Sequence, residues 1–141
     1  MIEDLATYVN QLPSGWVKEM GITILTATTE EVTCTFDVAE KHLQGYGIVH
    51  GGVHCGVVET LASIGAAQVA RQRGQRVAGL ENSTSFIRAV RAGTRLHAVA
   101  KPLTRGRSSQ VWEAAIYDED ERLVAHGRVR LLCFSEDRPV G

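Results

Sequence analysis

Residues 44–59 read QGYGIVHGGVHCGVVE, and the last of them, Glu59, is an acid inside an otherwise apolar run. Burying an unpaired carboxylate costs several kcal/mol or raises its pKa until it is neutral, so an acid here needs a reason. If a helix opens at Gly51-Gly52, Glu59 lies about two turns in, with Ser63 at i+4 on the same face. Gly52 and Gly56 keep side-chain bulk off the helix start, so a ligand or another backbone can approach. A helix N-terminus offers unpaired N–H groups and positive dipole, suited to a carbonyl oxygen becoming an oxyanion. An acid and an oxyanion site a few ångströms apart are the two parts of acyl transfer: a nucleophile or base, and an electrophilic stabiliser.

Each residue also has a plainer use. Glu59 can be a carboxylate paired with an Arg at a subunit interface, and His50 a loop histidine bonded to nearby backbone. Gly51-Gly52 can be a simple helix start, and Ser63 a small helix residue bonded back to a carbonyl. His50, His54 and Glu59 imitate a metal triad, but the spacing is not HExxH and His50 precedes the helix, so no metal is expected. There is no G-x-S-x-G nucleophile elbow, P-loop or dinucleotide fingerprint.

The elements that must hold these residues are legible in outline. Residues 2–11 form a short amphipathic helix stopped at Pro13-Ser14-Gly15. Residues 22–38 alternate and are rich in β-branched side chains, giving two strands or one bent hairpin with a turn near Thr29–Glu31. Residues 39–51 are loop. From Gly52 to Arg73 the chain is apolar on nearly every face, which marks a buried helix, and Arg71, Arg73 and Gly74 end it. Four strand-like runs follow, Val77–Ile87, Thr94–Leu103, Gln110–Tyr117 and Leu123–Phe134, with short connections that predict an antiparallel meander. One helix cannot cover both faces of such a sheet, so the sheet should wrap it, leaving an outer face for subunit contact. The class is α+β, with five to six antiparallel strands.

With 141 residues the chain reads as one domain over 1–141, its core about 15–134. It is 44% hydrophobic and 22% charged with a net charge of −1, so bulk charge predicts neither nucleic-acid nor anionic-membrane binding. The start MIEDLATYVNQ lacks the features of a signal peptide, and no apolar stretch is expected to reach the ~18 residues that span a bilayer. Cys34, Cys55 and Cys133 form no CxxC and suit a reducing compartment, so the expectation is a cytoplasmic protein.

Taken together, Gln44, His50-Gly51-Gly52, Glu59, Ser63, the strand Asn82-Ser83-Thr84-Ser85-Phe86-Ile87-Arg88 and the turn Gly106-Arg107-Ser108 resemble the hotdog-fold acyl-CoA thioesterases. The phenylacetic-acid-degradation type, which includes one class of 4-hydroxybenzoyl-CoA thioesterases, matches in order over roughly residues 15–134. The resemblance implies a long central helix wrapped by an antiparallel sheet. It also implies dimers with joined sheets, a homotetramer as dimer of dimers, and active sites shared between chains. Under it Gly51 would polarise the thioester carbonyl, Glu59 would be nucleophile or general base, and Ser63 would hold the attacking water. Gln44 and His50 would order the loop and thioester. Gly52, Ser83 and Phe86 would contact substrate, and Arg88, Arg107 and Ser108 would meet the coenzyme A phosphates. The two arginines can equally be solvated charges at strand ends. No cofactor is implied, coenzyme A being part of the substrate. The apolar Phe86-Ile87 pair, where relatives acting on hydroxylated aryl groups can carry polar residues, suggests an aryl or medium aliphatic acyl group. A hydratase or dehydratase pairing His50 with Glu59, and a non-catalytic acyl-CoA-binding module, are the alternatives.

Overall fold

The structure, a computed structural model, describes residues 4–137. A short helix α1 (Leu5–Asn10) is capped by Asp4, whose carboxylate accepts the N–H groups of Ala6 and Thr7. A one-turn helix α2 (Trp16–Glu19), which the sequence pattern does not reveal, leads into β1 (Thr23–Ala27) and β2 (Val32–Asp37). The Asn10 side chain both donates to and accepts from the backbone of Ile24, docking α1 on the outer strand β1. A 3₁₀ turn at Glu40–His42 and a loop precede the long helix α3 (Gly51–Arg71). Then come β3 (Gln75–Phe86), β4 (Arg95–Arg105), β5 (Ser109–Tyr117) and β6 (Leu123–Ser135).

All six strands form one antiparallel sheet in the order β1-β2-β4-β5-β6-β3. This corrects the expected four-strand meander, because β3 pairs with β6 and β4 pairs with β2. The residues between β3 and β4 cross the N-terminal end of α3 instead of turning back. They are held there by the Val49 N–H on the Val90 carbonyl (2.9 Å) and the Gly93 N–H on the Val38 carbonyl (2.9 Å). Val90 is buried in that crossing, which makes it an apolar anchor. The result is a hotdog fold, with one helix against a curled sheet and β3 at an open edge.

The core lies between α3 and the inner sheet face, where Trp112, Leu61, Leu96, Ile116 and Leu131 are fully buried. Gly65 lets the helix sit directly on the Trp112 ring, since a Cβ there would overlap it. The indole N–H of Trp112 donates to Gln110 (2.9 Å), and the Gln110 amide donates to the Ala66 carbonyl (3.1 Å), so this buried polar pair is satisfied. By length and composition α3 is apolar enough to cross a membrane, against the expectation above. Half of that stretch is buried inside the fold, because it is the helix the sheet wraps. The cysteines are all free, Cys34 and Cys133 buried and Cys55 half-buried.

Candidate active site

The start of α3 is built by its preceding loop. The Gln44 N–H donates to the Ile48 carbonyl, Gly47 turns the chain at φ 79°, and the Gln44 side-chain oxygen accepts the Tyr46 N–H. His50 is the N-cap, and its Nδ1 accepts the Gly52 N–H at 2.8 Å. The histidine thus has the local-backbone role, and the Gly52 N–H is already engaged. The Gly51 N–H has no protein partner among the described residues. The Phe86 ring lies against Gly51, where a Cβ would come within 2.6 Å of it. Between them opens a cleft of about 270 Å³ lined by Gln44, Gly51, His54, Phe86, Ile87 and Arg88 among others. An unpaired N–H at a positive helix end, beside an apolar cleft, can hold a carbonyl oxygen.

The acid is elsewhere on the same helix. Glu59 is half-buried, and Oε2 accepts the Asn82 side-chain N–H at 3.1 Å. The other oxygen lies directly over Gly79 and receives no protein hydrogen bond among the described residues. Ser63 is also half-buried, one turn further along. Glu59 and Gly51 are eight residues apart in continuous helix, about 12 Å of rise. The expected separation of a few ångströms is therefore wrong for a single chain. Helix rise, which the spacing of two turns already fixes, puts the acid and the candidate oxyanion donor at separate places. One chain carries two half-sites.

Other expected contacts divide between faces and ends. Ser83 is exposed on the outer sheet face, in a groove with Ser85, His126 and Arg128, and does not meet Glu59. Its neighbours Asn82 and Thr84 take the inward positions. Arg88 borders the cleft at the α3 start, whereas Arg107 and Ser108 form the β4–β5 turn at the opposite end, near Arg73 and Gln75. Seven residues of β6, from the partner of Phe86 to that of Ser109, separate the two ends by about 23 Å. Arg88 and Arg107 of one chain cannot meet the same phosphate group.

Three residues gain a place that the spacing alone did not give them. Asn82 ties Glu59, Gly79 makes room for it, and His54 forms part of the cleft wall. His54 is only 3% exposed, its Nδ1 has no partner, and burial pushes its pKa down to about 4. An uncharged imidazole keeps this wall apolar in character. Among the described residues no three His, Cys, Asp or Glu side chains gather as a metal-binding group.

A family model described as the thioesterase superfamily matches residues 46–125. The proofreading thioesterase EntH of Cronobacter sakazakii is 36% identical over 80% of this chain and 81% of its own length. The 1,4-dihydroxy-2-naphthoyl-CoA hydrolase of Listeria monocytogenes is 35% identical over 81% of this chain and 91% of its own. Among solved structures, S. sahachiroi AziG superposes with a TM-score of 0.82 at 37% identity, covering 86% of this chain and 98% of that one.

Proposed function

This chain belongs to the thioesterase superfamily, and from that premise we propose that it hydrolyses acyl-CoA thioesters with an aryl or short- to medium-chain acyl group. The observation that carries the proposal is Glu59, with one carboxylate oxygen tied to Asn82 and the other free beside the unpaired edge of β3. The Gly51 N–H receives the thioester carbonyl oxygen and polarises the carbonyl carbon. Glu59 then attacks that carbon to form a mixed anhydride that water opens, or takes a proton from a water held by Ser63. Either way the C–S bond breaks, the acid is released, and the proton ends on the coenzyme A thiolate. Gln44 and His50 hold the loop that presents Gly51. Gly52 makes room for the His50 ring that caps the helix, and Phe86 walls the acyl group. No cofactor takes part. The aryl option is supported by the Listeria relative, named for a dihydroxylated aryl-CoA, while Phe86 and Ile87 in the cleft wall favour an acyl group that lacks those hydroxyls.

The working unit is a homo-oligomer, a dimer joined along β3 and assembled into a tetramer, acting in the cytoplasm where its three free cysteines stay reduced. Two copies paired antiparallel across the β3 edge place the Phe86 end of one strand beside the Gln75 end of the other. That arrangement offers Glu59 a second copy's Gly51 and brings Arg88 of one chain to the end that carries Arg107 of the other. It supports a site shared between chains, with the coenzyme A phosphates on arginines from both.

The test is thiol release from phenylacetyl-, benzoyl-, 4-hydroxybenzoyl-, hexanoyl- and lauroyl-CoA by the wild type and Glu59→Gln. Release that falls by about 10² or more in the variant, with the fold intact, is the expected result. No release by folded wild type from any of them would sink the proposal. An enoyl-CoA hydration assay and a binding titration then separate the hydratase from the binding module.

A further inference from the structure

We infer that Asn82 is the positioning residue for Glu59, one that selects which carboxylate oxygen reacts; this rests on the thioesterase function proposed above. Asn82 carries two amide hydrogens and both are used, one on the Cys55 carbonyl (3.0 Å) and one on Glu59 Oε2 (3.1 Å). Its oxygen accepts from the Thr84 hydroxyl at 2.6 Å. The Glu59 carboxylate and the Cys55 carbonyl can only accept, so the amide turns its hydrogens to them, and the Thr84 hydroxyl donates to the oxygen that remains. Flipped, the amide would set its oxygen against the carboxylate, acceptor against acceptor. The orientation is therefore determined by the two acceptors, Cys55 and Glu59.

The geometry depends on an irregularity in β3. Strict alternation would put Gly79 and Asn82 on opposite faces of the sheet. The register with β6 slips between Gly79 and Glu81, so β3 holds one extra residue there. Such a bulge re-aims the strand, and both Gly79 and Asn82 then face α3. Gly79 clears space for one oxygen of Glu59 while Asn82 holds the other. The charged Glu81 next to them is exposed and reaches Arg130 instead. The bulge, the glycine and the asparagine together leave one oxygen bound and one free.

A plain structural tie between β3 and α3 is the competing explanation, and it predicts different behaviour. The Cys55 carbonyl also faces the Glu59 backbone N–H within the helix, so losing its bond to Asn82 leaves no orphaned acceptor. A tie would therefore show in thermal stability and spare turnover by the folded protein.

The experiment measures kcat and KM by thiol release, on the best acyl-CoA of the panel, for Asn82→Ala, Thr84→Val, Glu59→Gln and Asn82→Ala with Glu59→Gln, each with its thermal midpoint. Asn82→Ala is expected to lower kcat about tenfold or more with KM within about twofold, the scale of one lost hydrogen bond to a charged group. Thr84→Val keeps the side-chain shape and should lower kcat in the same direction by a smaller factor. In the Glu59→Gln background Asn82→Ala should add nothing further, because the group it positions is already gone. An Asn82→Ala enzyme that keeps its kcat overturns the inference, as does an equal loss with and without Glu59. If Asn82→Ala fails to fold, an unchanged kcat in Thr84→Val overturns it alone. Should Glu59→Gln keep wild-type turnover, it is the role of Glu59 itself that falls, and that outcome is separate from the others.

Discussion

The free carboxylate oxygen of Glu59 lies over Gly79 with no room between them, so a Cβ at position 79 would occupy the place of that oxygen. Gly79 is on the edge strand, is exposed, and is not among the residues with positive φ, so its backbone tolerates a side chain. Gly79→Ala should leave the thermal midpoint nearly unchanged while pushing Glu59 off its position. A displaced catalytic carboxylate costs turnover steeply, and a fall in kcat of about tenfold to a hundredfold is expected. Thiol-release kinetics beside a melting curve checks it. An alanine variant as active as wild type would mean that Glu59 does not react from where it sits.

The 12 Å of helix between Gly51 and Glu59 makes a prediction that mutation of one chain alone cannot test. Glu59→Gln and Gly51→Pro should each be inactive as homo-oligomers. Proline suits the first helical position and removes the N–H, provided the Phe86 ring swings aside. If each site takes Glu59 from one chain and Gly51 from another, a hybrid dimer has one doubly defective site and one intact site. Unfolding and refolding the two variants together should then restore about a quarter of wild-type activity, since half the dimers are hybrids and each keeps one of two sites. If both groups act within one chain, every site in the mixture carries a defect and the activity stays at background.

The strands and the long helix are legible in the sequence because burial imposes a period on it. Residues 32–36 alternate buried and half-buried side chains as the pattern predicts, and β5 does the same over its whole length. Strand order is not legible in this way. A connection of the length between Phe86 and Arg95 can make a hairpin or cross an end of the fold, and only the seat for Val90 and the Val49 bond decides it. The four residues of α2 are too few to show a helical period.

The candidate site is legible in residue type and less so in position. Gly51, Glu59 and Ser63 are on the helix and Phe86 is beside the cleft at its start, but the spacing that suggests proximity is the spacing that separates acid from N–H. Ser83 and Asn82 trade places for a reason that lies in the pairing. Which of two adjacent polar residues faces the helix depends on the bulge at Gly79–Glu81, and a bulge exists only relative to the partner strand. The signal available in the sequence was the pair Asn82 and Thr84, two polar groups one period apart on a strand beside a helix acid.

His54 gives the fold a dependence on pH whose sign is fixed by its burial. In the unfolded chain a histidine titrates near 6.5, whereas in the folded protein burial pushes His54 down to about 4. Between those values the unfolded chain binds a proton that the native state does not, so stability is full above about pH 6.5 and falls as pH drops towards 4. The whole effect is on the order of 3 kcal/mol. The Arg95 guanidinium hydrogen-bonded to Asp37 holds that carboxyl below its ordinary 3.8, so its own loss of stabilisation comes at lower pH. Denaturant midpoints from pH 7 to pH 4.5 should therefore decline in the wild type and stay nearly level in His54→Leu, which removes the titrating group and keeps the wall apolar. A variant whose decline matches the wild type would place the proton uptake elsewhere, and His54 would then be a charged or solvated side chain and not the neutral wall of the acyl cleft.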